Sequence, residues 1–492
     1  MTFGGKTSCV AVAGDVKTRE SIAVTRIFCT FVGIIAEIMS RLRQQNQHQR
    51  MMTTPVNRLV RQLAVPSVLT MLVTSLYNLV DTLFVGKLGP EAIGAIGVNY
   101  SLMALIQAVG FFFGHGSGNY ISRKLGERRI DEAAAMAIVG VVTAFLTGVL
   151  FLAVGICYER HLVMWLGSTA TIAPLACEYM TYVLLGAPFF ASSLTLGNQL
   201  RLQGAAGKAM MGICIGALIN CLLDPLLIFG AGMGIQGAGL STFLSQVVSF
   251  SILLVMTQRG QTVVRLSWRN FRPSSARYLA ILQGGLPSMG RQGVNCVSNV
   301  LLSHAMKLFG DPFFAAMTIV FRLSGFVYAI TAGIGQGFQP VSGFNYGARR
   351  FGRVISAYMY TQKLTLTFLF VATLVLAVFA PWMIDCFTSS QEVVRLGTTA
   401  LRWQCTTIPF IGIIMIGSML LQNINRYKEA TWIALSRSGI FFIPMILILP
   451  SFAGATGVML AHPISDVLSF LTALPLLHKV VKELKQPLER GK

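Results

Sequence analysis

The sequence predicts an all-α membrane protein: twelve transmembrane helices in two six-helix bundles, related by a pseudo-twofold axis along the membrane normal. Three observations carry this. Hydrophobic residues make up 54% of the 492-residue chain and charged residues 12%, with a mean hydropathy of +0.66, which is more apolar surface than a soluble core of that size could hide. Apolar windows of roughly 20 residues, the length that crosses about 30 Å of hydrocarbon, recur twelve times. The chain also repeats itself. Displaced by 221 positions, Pro66 falls on Pro287, Asn78 on Asn299, Gly89 on Gly310, Gly114 and Gly116 on Gly335 and Gly337, and Pro188 on Pro409.

The windows place spans near 62–86, 92–122, 133–158, 174–199, 209–231 and 235–257 in the first half, and near 278–306, 313–340, 355–381, 396–420, 430–450 and 454–478 in the second. Six spans return the chain to its starting side, so the repeats are parallel, and a substrate path between two bundles is expected. This divides the chain into residues 1–50, a first lobe 51–258, a linker 259–275 and a second lobe 276–492. The apolar run Ile27 to Met39 in the first segment contains Glu37 and is too short to span. A cleaved signal peptide would contradict the loop charges. Residues 1–50 then read as an extension, or as a misassigned start with Met51 or Met52 as the first residue.

The net charge of +21 follows topology. Arg58, Arg61, Arg123, Lys124, Arg128, Arg129, Arg201, Lys208, the arginines from Arg259 to Arg277, Arg349, Arg350, Arg353, Arg426, Lys428 and the basic residues after 478 share one side. The other side receives Lys87, Arg160, Lys307 and Arg395. By the positive-inside rule both termini are cytoplasmic, and no nucleic-acid partner is implied. Nine cysteines without metal-ligand or redox spacing read as buried thiols. There is no His-Glu-x-x-His, no phosphate-binding loop and no Gly-x-Ser-x-Gly, so neither enzyme nor cofactor is expected.

Acids inside a bilayer cost at least about 2.5 kcal/mol each, so Asp81, Asp224 and Asp466 call for a reason. Asp81 near the end of span 1 and Asp224 near the end of span 5 both fall roughly 8 to 11 Å below the outer surface. Tyr77 and Asn220 precede them at the i, i+4 spacing that shares a helical face, and Thr242 in span 6 arrives at the same level. Two carboxylates, an amide and a hydroxyl are hard oxygen ligands suited to a small alkali cation or to proton exchange. The repeat has Leu302, Phe441 and Met445 at the positions of Asp81, Asn220 and Asp224, so the acids are one-sided. Asp466 stands opposite Gln246 in the repeat, and Arg291 and Arg322 in spans 7 and 8 are its expected partners if it is not a cavity residue. Prolines fall inside spans at 66, 188, 225, 287, 340, 409 and 444. Pro66 and Pro225, flanking the acids, are the expected hinges. His115, His304 and His462 lack metal spacing and read as packing groups.

The segments Leu79-Val-Asp-Thr-Leu-Phe-Val-Gly86 and Gly337-Phe-Gln-Pro-Val-Ser-Gly-Phe-Asn-Tyr-Gly-Ala348, the latter placed after span 8, resemble the bacterial branch of the multidrug and toxic compound extrusion (MATE) family over residues 55–480. The resemblance implies export of small amphipathic, often cationic, drug-like compounds in exchange for H+ or Na+. It implies a cation-coupling set matched by Asp81, Asn220, Asp224 and Thr242, the same four being metal ligands if the ion is Na+. Tyr77, Pro66, Gln246, Arg291, Asn295 and Asp466 are candidates for the substrate cavity. Some branches carry acids in spans 7 and 10. Here Asn295 stands in span 7 and no acid occupies span 10, so coupling is expected in the first lobe alone. A monomer in the bacterial inner membrane is expected. A flippase for lipid-linked oligosaccharide or phospholipid shares the architecture and is the alternative, kept open by Arg291 and Arg322.

Overall fold

The structure is a computed structural model that describes residues 47–258, 263–388 and 390–489. The expectations for residues 1–46 and for 259–262 of the linker lie outside the described residues. After a short helix, Gln47–Thr53, the first lobe comprises α1 (Val56–Gly86), α2 (Pro90–Gly126), α3 (Ile130–Cys157), α4 (Ala173–Leu202), α5 (Ala206–Pro225, extended by a π turn, Leu226–Gly230) and α6 (Gly234–Gln258). The second comprises α7 (Ser275–Lys307), α8 (Asp311–Gly347), α9 (Phe351–Asp385) and α10, a pair Gln391–Cys405 and Ile408–Asn423 bent by 48°. α11 starts as Tyr427–Leu435, passes through a π turn at Ser436–Ile440 and ends at Gly454, whose φ of 57° and ψ of −136° break the helix; α12 follows over 455–489. Among the described residues there is no strand.

All twelve expected spans are helices, but several run longer than their apolar windows. α2 and α8 each have 37 residues, about 55 Å at 1.5 Å per residue, well beyond a bilayer core. The segment 337–348 therefore does not follow span 8; it is almost wholly the last turns of α8. Polar residues at these helix ends carry no hydropathy signal, so the windows stopped short.

The duplication extends to the backbone. Left-handed residues pair across the repeat: Gly89 with Gly310, Arg128 with Arg349, and Gly204 with Asn425 at the 221-residue displacement, and Gly234 with Gly454 after the one-residue deletion. At Arg128 the chain leaves α2 with Arg129 N–H donating to Lys124 C=O at 2.8 Å, and at Arg349 it leaves α8 with Arg350 N–H donating to Asn345 C=O at 2.8 Å. These are the six-to-one closures that satisfy the last carbonyls of a helix.

The two lobes meet along α1, α2, α7 and α8, and glycine sets how closely. A Cβ on Gly126 would stand 2.2 Å from the Phe344 carbonyl oxygen, and one on Gly347 would stand 2.1 Å from that of Arg123. The two contacts exchange under the repeat, so the pseudo-axis passes between them. Gly116 meets Ile281 O at 2.4 Å, Gly285 meets Phe112 O at 2.3 Å, and Gly337 meets Ala64 Cα at 2.4 Å. All lie toward the arginine-rich ends of their helices, hereafter the basic end. Toward the opposite end Gly97, Gly293 and Gly325 have no neighbour within 4 Å. The largest apolar core also sits at the basic end and draws on both lobes, with Leu59, Ile121 and Val139 packed in one cluster with Phe338, Phe344 and Leu420. The lobes are sealed there.

Candidate functional site

Inside the first lobe, α1 presents Tyr77 and Asp81 on one face and α5 presents Asn220 and Asp224 on one face, as the i, i+4 spacing requires. α6 closes the group with Ser241 and Thr242, and α4 contributes Tyr179. Asn220 Nδ2 donates to Ser241 Oγ at 3.0 Å and reaches Asp224 Oδ1 at 3.4 Å, while Ser241 Oγ donates back to Asn220 O at 3.1 Å. Tyr179 lies close enough to Thr242 and to both acids to interact with them electrostatically. Asp224 is fully buried and Asp81 is 9% exposed, and the two carboxyls are near enough to interact electrostatically.

Asp224 is followed by Pro225, which has no N–H to give the preceding turn, and then by the π turn Leu226–Gly230. Such turns recur at functional sites in helices. Pro225 thus borders the acid it was expected to flank. Pro66 does not: it lies inside α1, 15 residues and about 22 Å of helix before Asp81, where its carbonyl accepts from Thr70 Oγ1.

Among the described residues, three buried oxygens in this group have no hydrogen-bond partner: Asp81 Oδ1, Asp224 Oδ2 and Asn220 Oδ1. Neither acid forms an ion pair among the described residues. Two like charges held close in a poorly polarisable interior repel strongly. Such a pair is relieved by a shared proton or by a small cation among the free oxygens, and the donor set offers only hard oxygens to it. Beside it lies a cavity of about 50 Å³ lined by Tyr77, Gln107, Asn220, Ser245 and Gln246. That holds a few waters and no drug-sized molecule. Tyr77 and Gln246, expected on the substrate path, face this internal cavity.

The second lobe places the remaining candidates differently. Asp466 does not pair with Arg291 or Arg322. It is fully buried, its Oδ1 accepts from Arg437 Nε at 2.6 Å, and its Oδ2 accepts from Thr407 Oγ1 at 3.3 Å. Arg437, whose guanidinium lies 5.6 Å from the Tyr328 ring centroid, is the partner the sequence reading missed. Arg322 is exposed. Asn295 Oδ1 accepts from Ser438 Oγ at 3.3 Å, and Arg291 borders a small cavity with Tyr328, Ser418 and Arg437.

Two further groups escaped the sequence reading. Tyr179 and Ser241 complete the acid cluster, and only the fold brings them there. Arg201 on α4, 3% exposed, donates across the lobe junction to Gln336 Oε1. His115, stacked on Phe111 at 5.5 Å, lies within electrostatic reach of both Arg201 and Arg291. It is a packing group as expected, yet it sits where the lobes join.

A family model described as MatE matches residues 66–226 and again 287–448, one match in each lobe. The chain is similar to the multidrug export protein MepA of Staphylococcus aureus strain MSSA476, at 27% identity over 437 residues, 86% of this chain and 94% of that protein. MepA of Staphylococcus saprophyticus is 24% identical over 420 residues, covering 84% and 92%. Among solved structures, an outward-facing conformation of a multidrug resistance MATE family transporter of the MOP superfamily superposes with a TM-score of 0.84 at 24% identity, covering 90% of this chain and all of that one. A MATE protein in a bent conformation matches equally, with 0.84, 24%, 90% and 99%. These likenesses establish the fold.

Proposed function

This chain belongs to the MATE family of multidrug and toxic compound extrusion transporters, and from that premise we propose that it is a secondary active exporter exchanging amphipathic, often cationic, compounds for inward H+ or Na+. The single observation that carries the reading is the acid pair Asp81 and Asp224. It is buried, has no counter-charge among the described residues, and occurs in one of two otherwise duplicated lobes. A structural hydrogen-bond network would need no second carboxyl, given the several kcal/mol that each charge costs on burial.

Asp81, Asn220, Asp224 and Thr242 hold the coupling ion; Ser241 orients Asn220. By the distribution of Lys and Arg the basic end faces the cytoplasm, so the sealed state opens outward, in the inner membrane of a bacterial cell. An ion drives transport only by favouring one conformation over the other. Here it neutralises the repelling acids in one state and is released when the lobes rock to the other, while the substrate occupies the space between lobes.

Reconstituted vesicles loaded with a fluorescent amphipathic cation test this under imposed proton or sodium gradients. Wild type should move the dye against at least one gradient. Asp81→Asn and Asp224→Asn should each fall to the rate of protein-free vesicles while inserting normally. Undiminished exchange by either variant would remove the acid pair from the coupling step.

A further inference from the structure

The two lobes carry cavities at symmetry-related places. Seven lining positions of the first-lobe cavity recur, 221 residues on, around the second-lobe cavity; Gln107 becomes Tyr328, Gly216 becomes Arg437 and Ala217 becomes Ser438. The second cavity is smaller, about 20 Å³, room for one water-sized occupant. The charge beside it is of the opposite sign. Asp81 and Asp224 give way to Leu302 and Met445, whereas Thr70 gives way to Arg291 and Gly216 to Arg437.

Charge does not balance there. Both carboxyl oxygens of Asp466 are engaged, by Arg437 and Thr407, so Asp466 neutralises Arg437 alone. Arg291 has no acid within ion-pair reach among the described residues. Its only hydrogen bond there runs to Ser288 Oγ, at the outer limit of 3.5 Å, and its Nη1 is buried without a partner. Another cation, Arg201, reaches the same His115 that Arg291 acts on. An unpaired guanidinium inside a membrane protein is costly and marks a polar ligand or path, and a guanidinium is suited to carboxylate and other oxyanions.

We propose that the second-lobe cavity is an anion site. Arg291 supplies the charge and its unpartnered Nη1 the donor, the Tyr328 ring forms one wall, and Ser438 and Ser418, whose hydroxyls donate to Asn295 Oδ1 and Ala430 O, border the space. It takes a small monovalent anion, either free chloride or the terminal carboxylate of an amphipathic substrate. The site lies apart from the acid cluster in the other lobe and stands whether or not that cluster couples transport.

The test uses purified full-length protein in a zwitterionic buffer free of chloride and of carboxylates and measures retention of radiochloride, then its displacement by acetate and by an amphipathic carboxylate dye. Wild type, Arg291→Lys and Asp224→Asn should retain radiochloride. Arg291→Gln should weaken it at least about tenfold, the scale of losing a buried charge partner. Ser438→Leu, which fills the cavity and leaves every charge in place, should do the same and covers the case in which Arg291→Gln does not fold. Displacement by the dye at concentrations where acetate is ineffective would identify a substrate carboxylate, and displacement by neither a resident chloride; both support the site. Absence of both radiochloride retention and dye binding in wild type, or undiminished retention in Ser438→Leu or a folded Arg291→Gln, overturns it.

Discussion

Asp466 and Arg437 show how a buried pair behaves at the scale of single residues. Their burial is costly, and the 2.6 Å contact with the Thr407 hydroxyl compensates only while both charges are present. Removing one partner, as in Arg437→Met, should therefore destabilise the protein by about 3–5 kcal/mol, because it strands a carboxylate. The double variant Arg437→Met with Asp466→Leu should recover most of that loss, since apolar replacements of similar size often equal a buried pair. Thermal unfolding of the two variants in detergent checks this, and equal losses in both would show that the pair contributes by something other than mutual neutralisation. At this scale the sequence was partly legible. Asp81 and Asp224 could be placed at one depth because α1 and α5 each run regularly to the same end of the bundle. The partner of Asp466 could not, because an arginine 29 positions earlier is brought to it by the antiparallel packing of α11 on α12, which hydropathy does not encode. Tyr179 was hidden for the same reason: a tyrosine in an apolar helix carries no mark of which neighbour its hydroxyl will meet.

At the scale of the element, the twelve spans could be read from apolar length alone, and the errors fall where something other than length decides. Pro188 and Pro409 are equivalent in the repeat, yet α4 is continuous and α10 breaks at residues 406 and 407. The break coincides with Thr406, whose hydroxyl bonds back to the Trp403 carbonyl at 2.7 Å and so competes with the helix ladder; the first lobe has Leu185 there. Glycines divide in a similar way. Gly454 ends α11 at a φ of 57° and ψ of −136° with only Phe309 nearby, 3.8 Å from a modest added Cβ. Gly454→Ala meets no clash and should still cost about 1–3 kcal/mol through backbone strain. Gly293, inside α7 with nothing within 4 Å, should do the reverse. Gly293→Ala is expected to stabilise the protein by about 0.5–1 kcal/mol through helix propensity. Unfolding midpoints that moved in the same direction for both would contradict the assignment of strain to the α11–α12 corner.

For the whole molecule, the duplication and the two lobes follow from the repeated glycines and prolines, but which end is sealed does not. Sealing depends on a few backbone approaches between lobes, and these have the energy of a switch. A side chain at Gly347 or Gly126 would run into a carbonyl oxygen at 2.1 or 2.2 Å, which cannot turn aside as a flexible side chain can. The helices must separate or the turn must distort. Overpacking of this kind costs about 1–3 kcal/mol, and if the open arrangement escapes it, the balance between the two states moves by about 5- to 150-fold. Gly347→Leu should therefore expose the basic end. A cysteine at Ser122, which is fully buried and whose Oγ would stand 2.4 Å from a Cβ on Gly343, reports on it once the nine native cysteines are replaced by serine. Its labelling by an impermeant maleimide, applied from the basic side, should accelerate by that factor in Gly347→Leu. It should stay at the starting rate in Gly97→Leu, because Gly97 has open space where the new side chain would go. Equal acceleration by both would mean that any added bulk loosens the lobes. Acceleration by Gly347→Leu alone would locate the seal at the symmetric glycine pair, the place where the repeat axis brings one lobe's backbone against the other's.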